Sequence, residues 1–174
     1  MKRYDRAYFD RFYRGPDARL TPESLARNVA LAVAVAESVL DRPLESVLDV
    51  GCGEGRWQPV LQEMRPEAVY LGIDSSEYAV ERFGEERNLL GGSFHELESF
   101  AFEEPFDLVI CSDVLHYLDK ETILMGMDTL VDLVGGVALL EVFTGAGLVP
   151  VGLQFYVHHE IAEGLDALDL QARR

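Results

Sequence analysis

The stretch from Val47 to Trp57 limits the folds open to this chain more than any other. Val47-Leu48-Asp49-Val50 reads as a buried strand, Gly51-Cys52-Gly53-Glu54-Gly55 sets glycines at alternate positions, and a helical pattern begins at once. Glycine lets the backbone enter positive φ and approach a ligand closely, because no Cβ blocks either. The helix that follows aims its free amides and positive dipole end at the same spot. A tight turn with no ligand would use the same residues, so the surroundings decide. A dinucleotide fingerprint reads G-x-G-x-x-G. Counted from Gly51, its third glycine would fall on Arg56, so the spacing argues against a nicotinamide cofactor.

The surroundings alternate strand and helix. Residues 69–73 form a second apolar strand that ends at Asp74, and Ser75 is the expected cap of a helix carrying Ala79, Val80 and Phe83. A weaker third strand is expected at residues 92–96, a strong fourth at 106–112 and a fifth at 137–143. Runs that are apolar on both faces suit the centre of a parallel sheet covered by helices, and short links between strands and helices mark the α/β class. The turn at Gly51 should feed a helix over residues 54–64, with Pro59 tolerated near its first turn. Upstream, Thr21 should cap a helix with Pro22 in its first turn and Leu25, Val29, Ala32, Ala36 and Val39 on the core side, closed by Pro43. Downstream, Asp119 should cap a helix through Val134 that ends at Gly135-Gly136. Tyr4, Tyr8, Phe9, Phe12 and Tyr13 give a short N-terminal helix an aromatic face.

Composition narrows the partners. The 174 residues fit one domain with a proper core, and 48% hydrophobic content argues against disorder. Asp and Glu total 31 against 15 Lys and Arg, a formal charge of −16. That field repels phosphate backbones and anionic membranes, so neither bulk nucleic acid nor a membrane is an expected partner. No run approaches the ~20 apolar residues of a membrane helix. The charged, aromatic start is unlike a signal peptide, which makes a cytoplasmic location the expectation. Cys52 and Cys111 give no disulfide framework, and no metal-ligand spacing occurs.

Two runs carry a family resemblance. Asp49-x-Gly51-x-Gly53-x-Gly55 resembles motif I of the class I S-adenosylmethionine-dependent methyltransferases. Phe106-Asp107-Leu108-Val109, continuing to Val114-Leu115-His116, resembles motif IV and its following loop. The resemblance spans residues 47–143. It implies a Rossmann-like, mostly parallel sheet with helices on both faces, an N-terminal helical lid and an antiparallel edge. It implies one domain over residues 1–174, with N-terminal helices at 1–43, a cofactor-binding core at 44–143 and a sheet edge with a last helix at 144–174. The implied cofactor is S-adenosyl-L-methionine, with S-adenosyl-L-homocysteine as product. Asp49, Gly51, Cys52, Gly53 and Gly55 would face its methionine half. Asp74, with Ser75, would hold the ribose, although Asp74 could also be a turn acid before the helix. Glu96 and Leu97 would meet the adenine, or else belong to an acidic loop. Cys111 and Ser112 would lie near the methionine end.

A sulfonium methyl is already activated, so holding the reactants in line and excluding water are the main tasks. His116 is the candidate base for a protonated acceptor, or a packing residue. Glu141 could face the cofactor or bond backbone amides. The expected function is methyl transfer to an unidentified small-molecule acceptor, the alternative being a non-catalytic cofactor-binding or partner-regulating homologue. The sequence departs from the family after residue 143. Residues 144–148 are too few for a parallel crossover, so either a loop and helix are missing near residues 144–146 or the edge is a hairpin. A last helix is expected over residues 160–170, with His158 and His159 before it.

Overall fold

The computed structural model describes residues 4–15, 18, 20–144 and 149–157, and gives backbone alone for 142–144, 149–154 and 157. A short helix α1 (Arg6–Phe9) runs into a π-helical turn, Asp10–Arg14. Then come α2 (Pro22–Leu40), β1 (Ser46–Val50), α3 (Trp57–Met64), β2 (Val69–Asp74), α4 (Glu77–Arg87) and β3 (Leu89–Gly91). A 3-10 turn (Phe94–Ser99), β4 (Phe106–Ser112), a second 3-10 turn (Leu115–Tyr117), α5 (Lys120–Asp132), β5 (Val134–Thr144) and β6 (Val149–Val157) complete the described chain. The sheet order is β3-β2-β1-β4-β5-β6. Its first five strands are parallel, and β6 pairs antiparallel with β5. This is the α/β class that the alternation of elements predicts and the Rossmann-like arrangement that the resemblance implies.

The two-residue period of a strand sends alternate side chains to opposite faces, and both faces are apolar. Val47, Leu108, Ile110, Val137 and Leu139 meet the α2 stripe of Leu25, Val29, Ala32 and Ala36. Leu48, Val50, Val109, Cys111, Ala138 and Leu140 meet Met127 and Leu130 of α5 and Phe94 and Leu97 of the first 3-10 turn. Burying one such Leu or Val side chain stabilises the fold by about 1.5–3 kcal/mol before entropy. On α5, Gly126 lies directly against Phe94, where a Cβ would sit 2.5 Å from ring carbons.

Local signals explain most boundaries and several corrections. The Thr21 hydroxyl accepts from Ser24 N–H at 3.2 Å, with Pro22 opening α2. The helix stops at Asp41, which is left-handed at φ 53°. Val39, expected on the core side, is 48% exposed, and Val33 is buried instead. The helix after the glycines begins at Trp57, because residues 53–56 are still turning. Ser76, not Ser75, caps α4 through Ala79 N–H at 3.1 Å, because Asp74 first uses the turn to accept Ser76 N–H. The third strand is Leu89–Gly91, three residues before the expected one, since Ser93 and Glu96 form a capping box that winds residues 94–99 into a 3-10 turn. Gly135 and Gly136 lie inside β5, where Gly136 passes close to the Asp107 carbonyl. At the sheet edge Thr144 stands opposite Val149. The expected missing segment at residues 144–146, the helix at 160–170, and His158 and His159 fall wholly or in part outside the described residues.

Candidate functional site

The glycine turn sits at the carboxyl end of β1, at the point where the chain crosses from β1 to β2 on one side and β4 lies on the other. Ligands bind open α/β sheets in this crevice. Gly51, Gly53 and Gly55 have φ of 74°, 57° and 65°, a region that side chains with a Cβ avoid. Gly51 and Gly53 also admit close neighbours: a Cβ at Gly53 would lie 2.3 Å from the Tyr13 hydroxyl. Asp74, at the end of β2, reaches back to this turn. Its carboxylate accepts Gly53 N–H at 2.7 Å and Ser76 N–H at 2.8 Å. Burial raises its pKa and the two amides lower it, with a net rise.

Two adjoining cavities open here, of about 270 Å³ and about 150 Å³. They share walls formed by Tyr8, Tyr13, Gly51, Ser112 and Asp113. The larger one runs past Asp74 and Ser75 to Ser93, Phe94 and His95. The smaller one runs past Asp49 and Cys52 to Trp57, Asn28 and Glu141. Asp49 is 3% exposed and accepts from the Tyr70 hydroxyl at 2.7 Å. Burial pushes its pKa up to about 7, with the Tyr70 bond opposing and the Asp74 charge adding. No basic side chain pairs with Asp49 or Asp74 among the described residues. The Ser112 hydroxyl donates to the Glu141 carboxylate, joining the ends of β4 and β5.

The N-terminal aromatics roof the larger cavity, with Tyr4, Tyr8, Phe9 and Tyr13 all in its lining. Phe9 is buried between Tyr13 and Tyr78, at centroid distances of 5.0 and 5.7 Å. Two polar ties hold the segment down. Arg14 forms a two-pronged ion pair with buried Glu54 at 2.6 and 2.7 Å, and the Ser76 hydroxyl donates to the Tyr4 carbonyl at 2.5 Å. The Tyr8 hydroxyl lies 3.5 Å from that of Tyr117.

The structure therefore brings together Asp49, Gly51, Cys52, Gly53, Asp74, Ser75 and Ser112. It places five other expected site residues elsewhere. Gly55 packs on Leu89, whose methyl would lie 2.7 Å from an added Cβ. Glu96 is exposed, and its carboxylate accepts Ser93 N–H at 2.9 Å as part of the capping box. Leu97 is fully buried in the core. Ser93, Phe94 and His95 line the cavity wall after β3, and Glu96 is not among the lining residues. Cys111 faces α5, because the strand period sends it opposite to Ser112. Burial raises its thiol pKa strongly. His116 lies outside both cavity linings, with its Nε2 3.4 Å from Asp113 Oδ1 and its ring against Tyr117. Tyr117 and Asp113 face the cavity in its place. Asn28 and Trp57 are wall residues that no local pattern marks, because only the packing of α2 beside α3 brings them there.

The residues present fit a nucleoside with a cationic tail. A carboxylate offers about four acceptor sites, so Asp74 keeps capacity for two hydroxyls after its amide bonds. Asp49 supplies a buried carboxyl beside the turn, which a cation placed there would favour in its charged form.

The comparisons agree. The "Methyltransferase domain" family model matches residues 41–147. A trans-aconitate 2-methyltransferase from Deinococcus radiodurans is 28% identical over 109 residues, 63% of this chain and 38% of that protein. The sugar N-methyltransferase KedS8 from Streptoalloteichus superposes with a TM-score of 0.62 at 19% identity, over 81% of this chain and 56% of that one. The magnesium protoporphyrin IX methyltransferase of Synechocystis, solved with bound S-adenosylhomocysteine, gives 0.57 at 21% identity, over 83% and 70%. The chain thus spans well under half of the curated relative and about half to two thirds of these structures. With the family model covering most of the sheet and the glycine turn, this chain belongs to the class I S-adenosylmethionine-dependent methyltransferase family.

Proposed function

We propose that the chain binds S-adenosylmethionine across the two cavities and transfers its methyl group to a small molecule held in the smaller one. The observation that carries this is the Asp74 carboxylate, fixed at 2.7 Å from the Gly53 amide while it faces the larger cavity. In this reading Asp74 takes the ribose hydroxyls, Ser93 and Phe94 border the base, and Gly51, Gly53 and Asp49 border the methionine half. The cofactor supplies an electrophilic methyl group on a positively charged sulfur. The protein's part is to orient an acceptor against it and to exclude water. The Tyr4, Tyr8 and Phe9 roof suits that second task. Calorimetry with S-adenosylhomocysteine tests the binding half: micromolar binding supports the reading, and no heat at millimolar ligand removes it. Mass-detected methyl transfer from S-adenosylmethionine to a metabolite panel tests the catalytic half.

A further inference from the structure

The smaller cavity has a marked charge imbalance. Asp49, Asp113 and Glu141 line it, against Arg56 as the one lysine or arginine in its wall among the described residues. Arg56 is already engaged, donating to the Leu20 carbonyl at 3.3 Å and lying over the Tyr13 ring at 5.3 Å. The remaining wall includes the rings of Tyr8, Phe12 and Trp57, and aromatic faces attract cations. A carboxylate acceptor, such as the one named for the trans-aconitate relative, would meet Asp113 and Glu141, with Arg56, held toward the Leu20 carbonyl and the Tyr13 ring, as the one lysine or arginine of the described wall to offset them. Burying an unpaired charge in such company is costly.

We propose that the acceptor is an amine, cationic when it arrives and gripped at the Ser112–Glu141 corner where β4 and β5 end. This inference rests on the methyltransferase reading above. Glu141 lies 29 residues from Ser112 in sequence, yet it accepts that hydroxyl, which fixes the carboxylate at the cavity edge. An ammonium nucleophile must lose one proton first. Its N–H bond breaks, the nitrogen keeps the electron pair, and an O–H bond forms on the Glu141 carboxylate. Asp113, in the wall shared by both cavities, supplies the second negative neighbour, while Asp49 stays with the cofactor.

Calorimetry on the protein saturated with S-adenosylhomocysteine tests this without turnover. The probes are benzylamine and cyclohexylamine, their matched acids benzoate and cyclohexanecarboxylate, and trans-aconitate. The expected result is that amines bind at least about tenfold tighter than the matched acids, and that Glu141→Gln weakens the amines by about tenfold. The same variant should hold S-adenosylhomocysteine within about twofold of wild type. Asp113→Asn serves as a second variant, with a smaller loss of amine affinity. Acids binding as tightly as amines, trans-aconitate binding tightest, no amine binding, or unchanged amine affinity in both variants would each overturn the proposal. Failure of S-adenosylhomocysteine to bind at all would remove the methyltransferase reading and this inference with it. Success there with no amine preference removes the inference alone.

Discussion

The two ends of the sheet treat buried acids in opposite ways. At the amino end of β4, Asp107 is as hidden as many core residues, yet burial is outweighed by its partners. Arg42 donates twice, at 2.8 and 2.6 Å, and Glu45 N–H donates at 2.8 Å, so its pKa falls below the usual carboxylate range. At the carboxyl end, Asp49 and Asp74 have hydroxyl and amide donors but no cation among the described residues, and both pKa values rise. The same residue type thus completes the structure at one end and leaves an unmet demand for positive charge at the other. In the proposed reading a cationic cofactor tail answers Asp49 and ribose hydroxyls answer Asp74, so the carboxyl end reads as a site and the amino end as a brace.

Substitutions can break or sharpen this contrast. The largest effect is expected from Asp74→Ala, which should weaken S-adenosylhomocysteine by about 100-fold, or roughly 2.7 kcal/mol, with the far-ultraviolet spectrum retained. Next comes Asp49→Asn, which keeps the Tyr70 bond but removes the charge. A carboxyl whose folded pKa is raised costs nothing below its unfolded value and costs most above its folded one. The unliganded wild type should therefore lose stability as pH rises from about 4 to about 7. At pH 8 the Asn variant should be more stable by on the order of 2 kcal/mol, and urea titrations at pH 5 and pH 8 check the sign. Cofactor affinity of the wild type should rise with pH through the same window, and the variant should lose that rise. At the other end, Asp107→Ala should destabilise by on the order of 1 kcal/mol from its lost amide bond alone, while cofactor affinity stays within about twofold. Asp107 has its pKa lowered, so its contribution is present at neutral pH and lost on acidification. The smallest effect is expected from Glu96→Gln, a barely measurable change in stability with no change in cofactor affinity. A tenfold affinity loss there would return Glu96 to the site.

What was legible in the sequence was what local chemistry fixes. Alternate glycines have few uses other than a positive-φ turn, and the doubly apolar runs at β1 and β4 announce a covered parallel sheet. Asp74 followed because it ends the next such run. The third strand starts three residues before the expected one because Leu89-Leu90-Gly91 is too short to show a period, and the capping box of Ser93 and Glu96 winds the residues that follow into a 3-10 turn. His116 looked available because sequence cannot show that its ring turns onto Tyr117 and toward Asp113. Asn28 reaches the smaller cavity through contacts distant in sequence, and no local pattern marks it, whereas Tyr13 and Glu141 show in the sequence as part of an aromatic face and as an acid on the fifth strand.

The bare α-carbon at Gly126 has a consequence for selectivity. Phe94 leans into the space that a methyl group would fill there, and its backbone carbonyl also lies within 2.6 Å of that position. The same residue borders the larger cavity. The width of the larger cavity is therefore gauged from behind, at a position of α5 that is not itself part of the cavity wall, and even alanine at 126 would narrow the slot.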